Sequence, residues 1–415
     1  MYVNEQSGIV NKYKRDLTEG KKVPDFVVKN PGGISPRDGI CENSIFGEGG
    51  MAIQYDGVRG DMYFILDDGW DVEYYLDPWK RDMPKFGSHI LNDDRFPSTA
   101  GKTPQQKLKW INQKLRDLGW KGAALLIPAQ MIGQPGCVEF EKQIPYWKER
   151  MRWSRFAGIK YWEVDWGYCC NDSKFRKALT TLSAKEYPEL IIENAFPIGI
   201  VFANDIGFKD GNVIGSGEFS KSTENELNML EDTLSGSNLF RTYDEVGAAT
   251  TLDRIAYELE KGYKNGYNFY LTCESNPRIA AGLACYVGIM IRDKDPRSRD
   301  AIAFLRWQRI APALRAKGVP VKVSSERLTD ITSCAWAAPS KKFPQSAPAV
   351  IVRGNMEIPK ISIPDGKPAP FVAATRYSNG DVCVVFIERT NVPFTDVSAD
   401  FGANCIGKNR YIWEI

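Results

Sequence analysis

Histidine is almost absent: the 415 residues contain one, His89. A Ser-His-Asp triad would have to run through it, and zinc or non-haem iron sites built on two or more histidines are excluded. Catalysis must then come from carboxylates, Lys, Tyr or Cys. No Cys-x-x-Cys pair occurs, which argues against a zinc ribbon or a thioredoxin-like centre. The longest apolar run, Ile279 to Ile291, falls well short of the roughly 18 residues of a membrane span. Charge of one sign is not in excess either. Lys and Arg number 54 against 52 Asp and Glu, a net +2, so neither a nucleic acid nor an anionic membrane is expected as partner. The opening stretch Met1 to Lys14 is polar and is not a signal peptide. The chain is therefore expected to be cytoplasmic, or a mature or trimmed form, in which case a periplasmic or secreted location is favoured.

What is present is an ordinary globular composition, 43% hydrophobic and 26% charged, enough for a sizeable core. At roughly 100–200 residues per domain the length implies two or three domains, or one barrel with an attachment. Eleven Trp and eighteen Tyr supply flat surfaces for sugar stacking or for plain core packing. The nine cysteines are Cys41, Cys137, Cys169, Cys170, Cys273, Cys285, Cys334, Cys383 and Cys405. An odd count leaves at least one thiol unpaired within the chain. Cys169 and Cys170 are the candidates for a bridge, and the others read as small buried apolar residues.

Short β-rich runs alternate with amphipathic stretches from about residue 24 to 318. The expected strands are Asp25–Lys29, Gly60–Leu66, Gly122–Ile127, Lys160–Val164, Leu190–Glu193, Asn238–Thr242 and Asn268–Thr272, each bounded by turn formers. An eighth is expected between Tyr286 and Pro320. Thr103-Pro104 opens a helix to Leu118 with Leu108, Ile111 and Leu115 on one face. Thr223 to Glu226 reads as a capping box, and Thr251 to Tyr263 as a further helix. No glycine-rich phosphate turn follows the first run, which disfavours a doubly wound sheet. The fold class expected is α/β, a (β/α)8 TIM barrel over residues 1–318 followed by a C-terminal antiparallel β-domain over 319–415. In that domain the expected strands are Val319–Val323, Ile331–Trp336, Ala347–Val352, Phe371–Arg376 and Asp381–Glu388, the last two joined by a hairpin turn at Ser378 to Asp381.

Barrel sites sit at the carboxyl ends of strands. Those ends carry Asp67-Asp68-Gly69-Trp70, Asp165-Trp166 with Glu163 two residues earlier on the same face, Glu193, Arg241 with Asp244 and Glu245, and Glu274. A single Asp there is commonly a helix N-cap, an Arg beside acids an ion pair, and Trp70 or Trp166 plain core. Five acidic ends on one rim would repel one another unless a ligand or pairing uses them. Two carboxylates acting together, one nucleophile or base and one proton donor, are what glycoside hydrolysis needs.

Leu66-Asp-Asp-Gly-Trp70, Lys160-Tyr-Trp-Glu-Val-Asp165, Glu193 and Phe240-Arg-Thr-Tyr-Asp-Glu245 resemble the α-galactosidase clan, glycoside hydrolase families 27 and 36, over roughly residues 30–310. The resemblance implies that Asp67 and Asp68 bind sugar hydroxyls, that Asp165 after the fourth strand is the nucleophile, and that Glu193 is a sugar ligand. It implies that Asp244 or Glu245 is the acid/base. The sequence departs from the clan in two places. Glu163 stands where the clan has Lys in Lys-x-Asp, replacing a cationic donor with an anionic acceptor. The stretch Asn30 to Arg37 lacks the clan's Trp-rich segment.

The expectation is an exo-acting retaining glycosidase with a carbohydrate substrate and no metal or organic cofactor. Asp165 would attack the anomeric carbon and Asp244 or Glu245 would serve as acid/base. Asp67, Asp68, Trp70, Glu163, Trp166, Glu193 and Arg241 would hold the sugar. The alternatives are a clan relative with another glycone, a transglycosylase, or a carbohydrate-binding protein without turnover.

Overall fold

The computed structural model describes residues 6–195, 206–209, 212–215, 221–242, 248–273, 276–289, 297–334, 338–363, 366, 368–387, 389 and 398–400. The chain divides into two compact units. One comprises Met1–Pro197, Gly236–Leu239 and Gly288–Leu305; the other comprises Ile198–Ser235, Phe240–Val287 and Arg306–Ile415.

The first unit runs α1 (Gln6–Thr18), α2 (Asp25–Lys29), α3 (Glu42–Phe46), β1 (Tyr63–Leu66), α4 (Pro104–Asp117), β2 (Gly122–Ile127), α5 (Phe140–Ala157), β3 (Tyr161–Val164), α6 (Ser173–Glu186) and β4 (Ile191–Ala195). The four strands pair in chain order and in parallel. Their short apolar runs are joined by helices long enough to cross over, the condition for parallel pairing. Helix α4 begins where Thr103 and Gln106 form a capping box around Pro104, and it buries Leu108, Ile111 and Leu115.

Alternation of side chains sorts each strand into two faces. Trp162 points at α5, its indole donating to Ser154 Oγ at 3.0 Å, and Phe64 meets Trp120 edge-on at 5.2 Å. On the opposite face Ile65 and Ala124 pack with Tyr63 and Tyr161. Glu163 and Asp165 share the face of Tyr161. Register then sets Glu163 beside Glu193.

The expected first strand, Asp25–Lys29, is instead the short helix α2. Its consecutive residues Phe26 and Val27 are both buried, packed with Val10, Tyr13 and Ile34, whereas a strand would turn one of them away. Pro24 leads into it and Asp25 occupies the first turn, both favourable at a helix start.

The second unit contains the hairpin β5 (Ile206–Lys209) and β6 (Asn212–Gly215), α7 (Lys221–Ser235), all of β7 (Leu239–Thr242) but its first residue, α8 (Ala248–Lys264), β8 (Tyr270–Cys273), α9 (Pro277–Gly282) and β9 (Tyr286–Val287). Helix α7 starts two residues before Thr223, which is therefore inside the first turn rather than at the cap. β7, β8 and β9 follow one another in their sheet, and β8 pairs β9 in parallel. The strand–helix series is that of a (β/α) barrel. With α2 helical it has seven strands rather than eight among the described residues.

After α10 (Arg297–Trp307), the C-terminal region has β10 (Val321–Val323), β11 (Arg327–Cys334), β12 (Ala338–Pro348), β13 (Val350–Arg353), β14 (Lys360–Ser362), β15 (Phe371–Arg376), β16 (Val382–Ile387) and β17 (Ser398–Asp400). Its main sheet, β10-β13-β15-β16, is mixed rather than antiparallel, because β13 and β15 run parallel. The connection from Arg353 to Phe371 is long enough for a crossover, which parallel neighbours need. The expected strand Ala347–Val352 is split at Ala349, whose N–H turns to Glu326 O at 2.8 Å. β15 and β16 pair antiparallel around the turn at Ser378 to Asp381. This sheet is bonded to α9 and the turn after it within the unit: Thr375 Oγ1 donates to Gly282 O at 2.8 Å, and Arg353 Nη1 to Ala284 O at 3.0 Å.

Candidate active site

Asp67 and Asp68 leave the end of β1, and Asp165 leaves the end of β3. Asp67 and Asp68 are 7% and 9% exposed, Asp165 is half-buried, and Glu163 and Glu193 are fully enclosed. Asp67 Oδ1 accepts the Asp68 N–H at 2.6 Å, which orients the first carboxylate across the turn. The Asp68 carboxylate accepts from Arg37 Nε. Burial nevertheless pushes the Asp68 carboxyl up to about 7; Arg37 pulls it down, and the negative charges of Asp67 and Asp165 raise it again. Asp67 and Asp165 thus both lie within electrostatic reach of Asp68.

Backbone geometry explains how the turns come this close. Gly69 has φ +100°, and a Cβ there would stand 2.9 Å from both Cβ and O of Arg37. Gly167, at φ +131°, would place a Cβ 2.7 Å from Ala129 N. Both positions need glycine for conformation and for space. The turn after β3 is fastened to the segment after β2: Ala129 N donates to Trp166 O at 2.6 Å, Cys169 N to Ala129 O at 2.9 Å, and Tyr168 N to Gln130 Oε1 at 3.2 Å. A disulfide joins Cys137 to Cys169 across the same two segments. Of the two candidates for bridging, Cys169 is therefore the bonded one. Cys170 keeps its thiol, pushed up by burial.

One layer below Asp165, Glu163 faces the same way, and the Tyr161 hydroxyl donates to Glu193. Trp70 is an interior residue, 1% exposed, with its indole N–H on Leu126 O at 3.1 Å. Trp166 is also buried and meets Phe86 edge-on at 5.1 Å. Arg241 is buried on β7 and belongs to the other unit. Asp244, Glu245 and Glu274 lie outside the described residues.

His89 is enclosed by the rings of Trp70, Tyr146, Trp147 and Trp162. Among the described residues neither ring nitrogen has a hydrogen-bond partner. Burial holds its pKa well below the ordinary value, with Arg150 adding to the effect. It is built as a neutral core residue. The neighbouring Asp71 accepts from His89 N at 3.0 Å and from Ser88 Oγ at 3.2 Å, fixing that loop.

Arg37 is the site residue that motif reading missed. It lies in a short turn opened by Ser35-Pro36, where Ser35 and Asp38 form a capping box, so the pattern signals a turn without signalling where its arginine reaches. A cavity of about 830 Å3 opens in the same unit beside Phe26, Tyr74, Glu42 and Arg95, and none of the candidate acids lines it. Among the described residues no group of three or more His, Cys, Asp or Glu could hold a metal ion, and no helix is long and apolar enough to cross a membrane.

Fold and site define a parallel α/β protein with clustered carboxylates at the carboxyl ends of its strands. Among solved structures, it is similar to a GH27 β-L-arabinopyranosidase from Geobacillus stearothermophilus in complex with arabinose, at 11% identity and TM-score 0.43, over 78% of this chain and 83% of that one. It is similar also to an α-galactosidase from Saccharomyces cerevisiae, at 9% identity and TM-score 0.38, over 75% of this chain and 64% of that one. An α-L-arabinofuranosidase from Thermotoga maritima in its arabinose complex matches at 10% identity and TM-score 0.33, over 80% of this chain and 73% of that one. All three are named as glycosidases. No family model matches the sequence, and no curated protein matches it.

Proposed function

We propose that the protein is an exo-acting retaining glycosidase. The observation that carries this reading is that Asp67 and Asp165, at the exits of β1 and β3, both act on the Asp68 carboxyl, which burial above all pushes up to about 7. Asp165, the least buried of the three, attacks the anomeric carbon while Asp244 or Glu245 protonates the departing oxygen. The same acid/base then takes a proton from water, which releases the sugar from Asp165 with net retention. Asp67 and Asp68 accept sugar hydroxyls. Arg37 adds the cationic donor that Glu163 removes from the clan's pattern: its Nε is spent on Asp68, and its terminal amino groups make no hydrogen bond to described residues. The chemistry needs no metal or organic cofactor.

The test is a panel of nitrophenyl α- and β-glycosides, including galactosides, arabinosides and glucosides, run on wild type and on Asp165→Asn. Turnover of at least one glycoside, lost by several orders of magnitude in the folded variant, supports the reading. Sugar binding without turnover of any glycoside would favour a carbohydrate-binding protein instead. An anomeric proton spectrum of the first-formed product distinguishes retention from inversion.

A further inference from the structure

A nucleophile is aimed by the backbone that carries it, and at Asp165 both backbone groups are held. Its N–H donates to Ile127 O at 3.1 Å. Its carbonyl accepts from Arg176 Nη2 at 2.9 Å. Arg176 stands in the first turns of α6 and is fully buried. Its Nε donates to Cys170 O at 2.8 Å, Nη1 to Val164 O at 2.7 Å and to Asn194 Oδ1 at 3.3 Å, and Nη2 also to Ala195 O at 2.9 Å. All five donors of the guanidinium are used. Their acceptors lie on both sides of Asp165, at the far end of its turn and at the end of β4.

We infer that Arg176 is a positioning residue for Asp165, a guanidinium clamp that fixes the β3 exit turn against the end of β4. The inference rests on the reading of Asp165 as nucleophile. A planar fork with donors on three nitrogens spans carbonyls from separate segments; an ammonium with its donors on one atom does not. Lys at this position is therefore a poor substitute although it keeps the charge. A buried cation whose role was packing alone would not need its bonds gathered around one turn. Helix α6 itself is anchored at the same place, because Asp172 caps it by accepting from the N–H groups of Lys174 and Phe175.

The experiment compares Arg176→Lys and Arg176→Met with wild type by hydrogen–deuterium exchange of the 161–172 segment, with melting curves alongside. Both variants should melt cooperatively, and exchange in that segment should speed by about tenfold or more while α4 is unchanged. On the most active nitrophenyl glycoside, kcat should fall by about 100-fold with little change in KM, the cost of a misaimed group. The decisive arm uses Asp165→Gly rescued by azide. Adding Arg176→Lys there should cause no further loss, because no carboxylate remains to be aimed. Unchanged exchange at 161–172, an undiminished second loss in the azide-rescued background, or failure of both variants to fold would each overturn the inference. Wild-type turnover by Asp165→Gly without azide would refute Asp165 as nucleophile, and the exchange arm would still judge the clamp.

Discussion

Arg37 and Asp68 form an ion pair at the exit of β1, with side chains 17% and 12% exposed. Gly69 lets the two segments touch, since any Cβ there would collide with Arg37. The pair favours the charged form of a carboxyl that burial and two neighbouring acids raise.

Removing Arg37 should therefore move a pH profile. If ionised Asp68 accepts a sugar hydroxyl, kcat/KM rises as pH passes through about 7, its carboxyl pKa. Arg37→Met should shift that limb to higher pH, because the guanidinium favours the charged form. A profile that stays in place would mean Asp68 does not govern the limb.

The same carboxyl has a stability signature. Its pKa is raised in the folded protein, from about 3.9 in the unfolded chain. The folded state thus holds the extra proton between those limits, and its contribution to stability is full below about pH 3.9 and lost as pH rises through about 7. Asp68→Asn should gain in melting temperature over wild type on going from pH 4 to pH 8. A constant difference would contradict the raised pKa.

His89 has the opposite sign. Its folded pKa is depressed, so its contribution is present above the unfolded value of about 6.5 and lost as pH falls from there toward the folded one. Its loop carries φ +57° at His89, a conformation that Asn tolerates. Titrating stability from pH 7 to 5, His89→Asn should show less loss than wild type, by up to about 1.4 kcal/mol per pH unit. Equal slopes would show that His89 does not resist protonation.

The Cys137–Cys169 bridge spans a sequence separation of 32. Loop-closure entropy for that length is worth about 3–4 kcal/mol. Cys137→Ser with Cys169→Ser should lower unfolding free energy in denaturant by about that amount. No change, or identical behaviour with and without reductant in wild type, would show that the bridge does not form in solution.

Much of the first unit was legible because its strands are short apolar runs closed by turn residues. Gly122–Ile127 is read to the residue, and Thr103-Pro104 marks the start of α4. Strand ends at Asp67 and Asp165 followed from the same signals. Asp25–Lys29 reads as a strand because five apolar-rich residues do not distinguish a strand from a helix turn; burial against α1 decides it. Arg37 and Arg176 were invisible for a different reason. Each acts through partners on other elements, Asp68 for the one and main-chain carbonyls for the other, and such contacts leave no period or spacing in the sequence. The Cys137–Cys169 pairing likewise depends on two strand exits meeting, which neighbouring cysteines at 169 and 170 obscure.

The central claim is that Asp165 carries the sugar between the two chemical steps. The most direct measurement is mass spectrometry after incubation with an activated 2-deoxy-2-fluoro glycoside matched to the best panel substrate, which slows release of a covalent intermediate. The account predicts a mass gain of one fluoroglycosyl unit, located on the peptide containing Asp165 and absent from Asp165→Asn. A label on a different carboxylate, or turnover retained by Asp165→Asn, would contradict it.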